Sequence, residues 1–161
     1  MKIRQSTLAE IDLLMPIYDY ARDFMRQTGN QHQWINGYPS REVIQEDIRK
    51  GQNYVIINDE NDIIATFCFF VGHEPTYDVI YNGQWLNDEP YGVVHRLAGL
   101  GKVKGMGDYC LQWCFGQHNN IRVDTHHDNT VMQKIFLRNG FRECGIIYLL
   151  NGTERKAYHK I

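Results

Sequence analysis

Residues 91–118, YGVVHRLAGLGKVKGMGDYCLQWCFGQH, constrain this chain more than any other stretch. Tyr91 to Leu100 is an apolar, β-branched run bounded by glycine, which predicts a strand. Gly107 to His118 predicts a helix. Between them, GLGKVKGMGD packs four glycines into ten residues. Glycine loses more conformational freedom on folding than any other residue, so such a cluster needs a reason. A strand that feeds a helix through glycines presents unpaired backbone N–H groups and the positive end of a helix dipole. An anion, usually a phosphate, is the natural ligand there. Lys102 and Lys104 add positive charge to the loop; the alternative for both is ordinary solvated charge. Two phosphate loops can be tested directly. A Walker loop requires Gly-Lys-Ser/Thr, but Met106 follows Gly105. The dinucleotide fingerprint requires glycine where Lys104 stands. Both fail, and a nucleotide-phosphate enzyme is therefore a weak reading.

The rest of the chain sets the loop in context. KIRQS predicts a first strand. Thr7 and Glu10 form a capping-box pattern, and Ile11, Leu14, Tyr18, Ala21 and Met25 follow as one helical stripe. Pro16 lies within it and predicts a kink or a late start. Ser40 is placed to cap a second helix from Arg41 to about Lys50, ending at Gly51. NYVIIN and DIIATFCFFV predict strands joined by an NDEN turn. Residues 72–90 form a long loop with room for one helical turn, and loops of that length are usually functional. NIRVDTH predicts a fifth strand. DNTVMQKIFLRNGF predicts a helix with Met132, Ile135 and Phe136 inward. The chain closes with a hairpin around Asn151-Gly152. The order β α α β β β α β α β β predicts an α/β or α+β sheet with helices on both faces.

Composition narrows the function. Seventeen basic and nineteen acidic residues give a formal charge of −2. Nucleic-acid binding needs a large basic excess, so no nucleic-acid partner is expected. No apolar run reaches the ~20 residues of a membrane span, and MKIRQSTLAE has no apolar signal core, so no membrane partner is expected. Cys68, Cys110, Cys114 and Cys144 lie in apolar segments without a framework, which predicts buried free thiols in a reducing, cytoplasmic setting. Cys110 and Cys114 lack two further ligands at suitable spacing. His126 and His127, as strand neighbours, are expected to point opposite ways at the surface. No metal is expected.

KVKGMG fits the pattern [Q/R]-x-x-G-x-[G/A], with Lys102 where Gln or Arg is usual. About twenty residues later comes the asparagine helix DNTVMQKIFLRNGF, ending in Gly-Phe. In this order and spacing the two resemble the central motifs of the Gcn5-related N-acetyltransferase (GNAT) superfamily, over nearly all of the chain. HRLAGLGKVKGMG, RVDTHHDN and GFRECGIIYL are similar to a bacterial subgroup of it. The resemblance implies one acetyltransferase domain over residues 1–161. The implied GNAT fold has a mixed, mostly antiparallel sheet of about seven strands, with helices on both faces, splayed between strands 4 and 5. It implies acetyl-CoA as acetyl donor and an amine acceptor. Family members are often homodimers, so a homodimer is one implied assembly.

Carried over by motif, the N–H groups of Val103, Lys104, Gly105, Met106, Gly107 and Asp108 cradle the pyrophosphate. Lys102 and Lys104 meet phosphate oxygens. The pantetheine amides pair with strand 4 near Leu97 and Ala98, and a strand N–H near Leu97 polarises the thioester carbonyl. Asn129 matches a family asparagine that contacts the cofactor arm; its other reading is a helix N-cap. Phe136 is implied as a further cofactor contact; it stands where much of the family has a tyrosine acid, and a phenyl ring donates no proton. His95 is the best placed base for the attacking amine; its other reading is a hydrogen-bonded core histidine. Tyr91 falls where several relatives carry a catalytic glutamate, and it also suits packing. Glu74 and Asp78 are further polar candidates without a spacing argument. Trp34, Tyr38, Tyr77 and Trp85 either wall the acceptor site or close a core edge or dimer interface. The expected function is transfer of acetyl from acetyl-CoA to a primary amine of a small molecule or peptide. The alternative is a non-catalytic acyl-CoA-binding or sensing domain, which Phe136 favours.

Overall fold

In the computed structural model, which describes residues 1–161, Glu10 accepts the Thr7 N–H at 2.9 Å and closes the predicted capping box. The box starts a short 3-10 turn, Leu8–Glu10, and α1 follows at Ile11–Gln27. The helix does not start late: it begins at Ile11, the first residue of the stripe, and runs through Pro16, which has no N–H to offer the Asp12 carbonyl. Ser40 caps α2 (Arg41–Arg49) by accepting the Val43 N–H.

The strands are β1 (Lys2–Gln5), β2 (Asn53–Ile57), β3 (Ile63–Val71), β4 (Gly92–Gly99), β5 (Ile121–Thr125), β6 (Arg142–Tyr148) and β7 (Glu154–Lys160). Helices α3 (Met106–Gln117) and α4 (Thr130–Arg138) complete the predicted order. All seven strands join one open, mixed sheet in the order β1-β2-β3-β4-β5-β7-β6. The β1–β2, β2–β3, β5–β7 and β6–β7 ladders are antiparallel. The β4–β5 ladder is parallel and consists of two pairs, Gly92↔Ile121 and Val93↔Arg122. Asn61, at φ +67°, turns the β2–β3 hairpin, and Gly152, at φ +82°, turns β6 into β7.

The chain forms two compact units, residues 1–69 with 95–106 and residues 70–94 with 107–161. In the first, the α1 stripe of Ile11, Leu14, Ile17 and Tyr18 packs with Ile44 and Ile48 of α2 on Val55, Ile57 and Ala98. Each such buried aliphatic side chain contributes about 1.5–3 kcal/mol relative to exposure. In the second, Tyr77, Val93, Ile147 and Ala157 form one cluster, and Phe136 packs on Phe141 and Tyr158. Of the three residues expected inward on α4, only Phe136 is fully buried; Met132 and Ile135 are half-buried. All four cysteines are buried and free. No helix is long and apolar enough to cross a membrane.

Candidate active site

The glycine loop leaves β4 at Gly99, where the Leu100 N–H donates to Ile64 O at 3.1 Å. Residues 101–105, including Lys102 and Lys104, are exposed, and the chain re-enters the fold at buried Met106, the first residue of α3. Gly101 (φ +69°) and Gly105 (φ +82°) adopt the left-handed backbone that a side chain resists. At Gly105 a Cβ would meet nothing within 4 Å; at Gly101 it would lie 2.7 Å from the Tyr20 hydroxyl.

Asp108 sits in the first turn of α3, where a free carboxylate would compete with a bound anion for the helix dipole. It is not free. Arg138 donates to both its oxygens, at 2.7 and 2.6 Å, and Asn139 Nδ2 donates at 2.7 Å. These bonds, the Arg138 bond first, hold the Asp108 carboxyl down at about 2. The negative charge is thereby answered from the end of α4. Asn129 is the N-cap of α4, its Oδ1 accepting the Met132 N–H at 3.0 Å. Phe136, 4% exposed, is enclosed by Phe141 and Tyr158.

On β4, His95 and Leu97 are half-buried and Ala98 is buried. Between His95 and Leu97 stands a residue the sequence did not mark. Arg96 has φ +52°, an uncommon and strained conformation for a residue with a side chain. Its Nε and Nη2 each donate to the buried carboxylate of Asp47, both at 2.7 Å, and Nη1 donates to the Tyr38 hydroxyl at 3.1 Å. Burial works against the guanidinium charge, but Cys68, Tyr38 and Asp47 around it raise its pKa. Burial in turn pushes the Cys68 thiol up to about 12. Trp34 is half-buried against Tyr18 and Tyr38, with ring centroids 6.0 and 6.3 Å away.

Tyr77, Trp85 and Tyr91 belong to a different cluster, in the second unit. Tyr77 is 1% exposed and donates to Asp124 at 2.5 Å. Burial first, then the Asp124 charge, keeps its hydroxyl protonated. Trp85 Nε1 donates to Tyr77 O. The Arg122 guanidinium lies between the Trp85 and Tyr91 rings, 4.4 and 4.1 Å from their centroids, and the Tyr91 hydroxyl accepts the Glu74 N–H. Tyr77 is thus buried in this cluster, and Trp85 is half-buried against it. Below them, Leu86 N–H donates to His159 Nδ1 at 3.0 Å, so the ring proton is on Nε2 and faces Asn120 Oδ1 at 2.5 Å. Burial and then the Arg122 charge hold His159 down at about 4.

His126 and His127 do not point opposite ways. β5 ends at Thr125, so the pair lies in a turn, and their rings stack at 4.2 Å. His126 is buried and only His127 reaches the surface. Their nitrogens and the Asp128 carboxylate lie within 4.8 Å of one another, a spacing that metal ligands share. His126 Nδ1, however, already accepts the Asp128 N–H and closes the turn.

No family model and no curated protein matches the chain. Solved structures do. A GNAT-family acetyltransferase from Streptococcus agalactiae is 36% identical, with a TM-score of 0.89, over 99% of this chain and 94% of that one. A candidate acetyltransferase from Staphylococcus aureus is 22% identical (TM-score 0.72, covering 99% and 98%). A GNAT-family acetyltransferase from Listeria monocytogenes is 13% identical (TM-score 0.73, covering 99% and 93%). The last two share the fold; the first shares fold and sequence.

Proposed function

Because the chain belongs to the GNAT family of acetyltransferases, we propose that its 161 residues act as one acetyl-CoA-dependent N-acetyltransferase. The acceptor is a primary amine of a small molecule or peptide, which attacks the thioester directly in a ternary complex. The observation that carries this reading is the exposed loop between β4 and α3. It offers backbone N–H groups from Val103 to Asp108 and two lysines, a donor set suited to a pyrophosphate. The Asp108–Arg138 pair supports it, since it keeps an uncompensated carboxylate away from that anion. Acetyl-CoA supplies the activated acetyl group. The residues near Leu97 and Ala98 hold its amide arm along β4, and the strand N–H there stabilises charge on the carbonyl oxygen.

Orientation of the two reactants supplies most of the rate. An alkyl amine has pKa ~10 and must lose a proton; His95, half-buried on β4, takes it directly or through water. Trp34 and Tyr38 supply the aromatic wall of the acceptor site. Tyr77 and Trp85, set in a core, take no part. Asn129 acts by capping α4, and Tyr91 by packing on Arg122. The donor and the free thiols suit a reducing, cytoplasmic compartment. The second reading, an acyl-CoA-binding domain without chemistry, is favoured by Phe136, which carries no proton.

Thermal shift and thiol release separate the two. Acetyl-CoA and CoA raise Tm and ATP does not; an unmoved Tm with both CoA compounds refutes either reading. CoA release above background with any member of an amine, polyamine, amino acid and N-terminal peptide panel supports the transferase. Binding without release supports the second reading.

A further inference from the structure

We propose that Tyr38 is the proton donor to the thiol that leaves, the part Phe136 cannot take. This rests on the transferase reading above. The residues that hold Tyr38 belong to the first unit. Arg22 Nη1 donates to the Tyr38 carbonyl oxygen at 2.9 Å, and Arg96 Nη1 donates to its hydroxyl at 3.1 Å. Trp34 meets the ring edge-on. Asp47 takes Nε and Nη2 of Arg96, which leaves Nη1 for the phenol and fixes the fork in that direction. The Tyr38 oxygen therefore accepts from the protein and keeps its own proton to give. The residue is 36% exposed, so this part of the loop is open to solvent.

The strain is in the right place for such a device. Arg96 holds φ +52°, a conformation that costs on the order of 1–3 kcal/mol and persists only where the surroundings enforce it. Asp47 enforces it. Arg96 directly precedes Leu97, the strand position assigned above to the thioester carbonyl.

The step balances. The amine nitrogen bonds to the acetyl carbon and the C–S bond breaks, its electron pair leaving on sulfur. Sulfur takes the Tyr38 proton, and the phenolate rests on the Arg96 N–H. His95 removes the proton of the acetylated nitrogen and returns it to water, from which Tyr38 is reprotonated. The products are an amide and the CoA thiol.

Tyr38→Phe keeps the ring against Trp34 and removes the hydroxyl with the bond it accepts from Arg96 Nη1, while the two Asp47 bonds still hold the guanidinium. With the first amine that the wild type accepts, kcat falls about 10- to 100-fold. This is at or below the lower end of general acid catalysis, because a thiol of pKa ~8.5 leaves readily. The KM values for acetyl-CoA and amine stay within about twofold, as does the CoA-induced rise in Tm. A solvent deuterium isotope effect on kcat in the wild type disappears in the variant. Unchanged kcat, or a raised amine KM with unchanged kcat, overturns the donor role and leaves the transferase standing. A wild type that binds CoA but acetylates nothing overturns both.

Discussion

At the scale of single residues, charge decides where this protein is sensitive. Asp108 is a surface carboxylate that Arg138 and Asn139 hold down at about 2. Its folded pKa is below the unfolded value, so its contribution to stability is complete above pH ~4 and is lost as pH falls towards 2. Asp108→Asn should lower Tm at pH 7, and the difference from wild type should narrow between pH 4 and 2. A difference independent of pH would mean that the Arg138 pair contributes nothing. Asp108 was legible as a loop residue, from its place in KVKGMGD. Its partners were not, since Arg138 is thirty residues away and carries no spacing signal. The same holds for Arg96. An arginine at positive φ has no sequence signature, and its partner Asp47 sits on α2, where a carboxylate reads as ordinary surface charge.

At the scale of elements, the periodic segments are legible in the sequence, because a stripe at spacings of three and four has one folded solution. The α1 face, the Ser40 cap, the Asn129 cap and the Asn151-Gly152 hairpin all formed as their residues require. The end of an element is less legible, because nothing in the sequence marks a strand that stops one residue early. β5 stops at Thr125, and that shift stacks His126 on His127 rather than separating them. The long loop after β3 gave no period at all, yet it is tightly built. Tyr81 exchanges two 2.8 Å hydrogen bonds with Ile146 of β6, and a Cβ on Gly83 would lie 1.8 Å from Cys144 O. Backbone on both sides leaves nothing flexible to yield. Gly83→Ala should therefore destabilise by about 3 kcal/mol or more, measured by denaturant unfolding. Gly105→Ala tests the opposite case, with open space but φ +82°. It should cost about 1–2 kcal/mol of stability and reduce the Tm rise with acetyl-CoA. Equal losses in the two variants would mean that conformation, not contact, governs both.

At the scale of the molecule, acid should lower stability over two successive pH windows, the first set by His159 and the second by carboxylates such as Asp108 and Glu10, whose folded pKa values lie below their unfolded ones. Neutral His159 accepts the Leu86 N–H on Nδ1, so a second ring proton would point at a donor, inside a core and near Arg122. Its folded pKa of about 4 lies below the unfolded value of ~6.5. The unfolded chain takes up this proton first, so stability falls as pH drops from about 6.5 to 4. Each proton bound only by the unfolded state contributes a slope of ~1.4 kcal/mol per pH unit. Asp108 acts below that window, between about pH 4 and 2. Unfolding free energy measured with urea across pH 7 to 4 should therefore slope for the wild type and be flatter for His159→Gln, which titrates nowhere in this range. The variant starts less stable at pH 7, having lost the His159 ring bonds, and the two curves converge towards pH 4. Parallel curves would show that His159 has the same pKa in the folded and the unfolded chain, so that its burial and Arg122 do not penalise the charged ring.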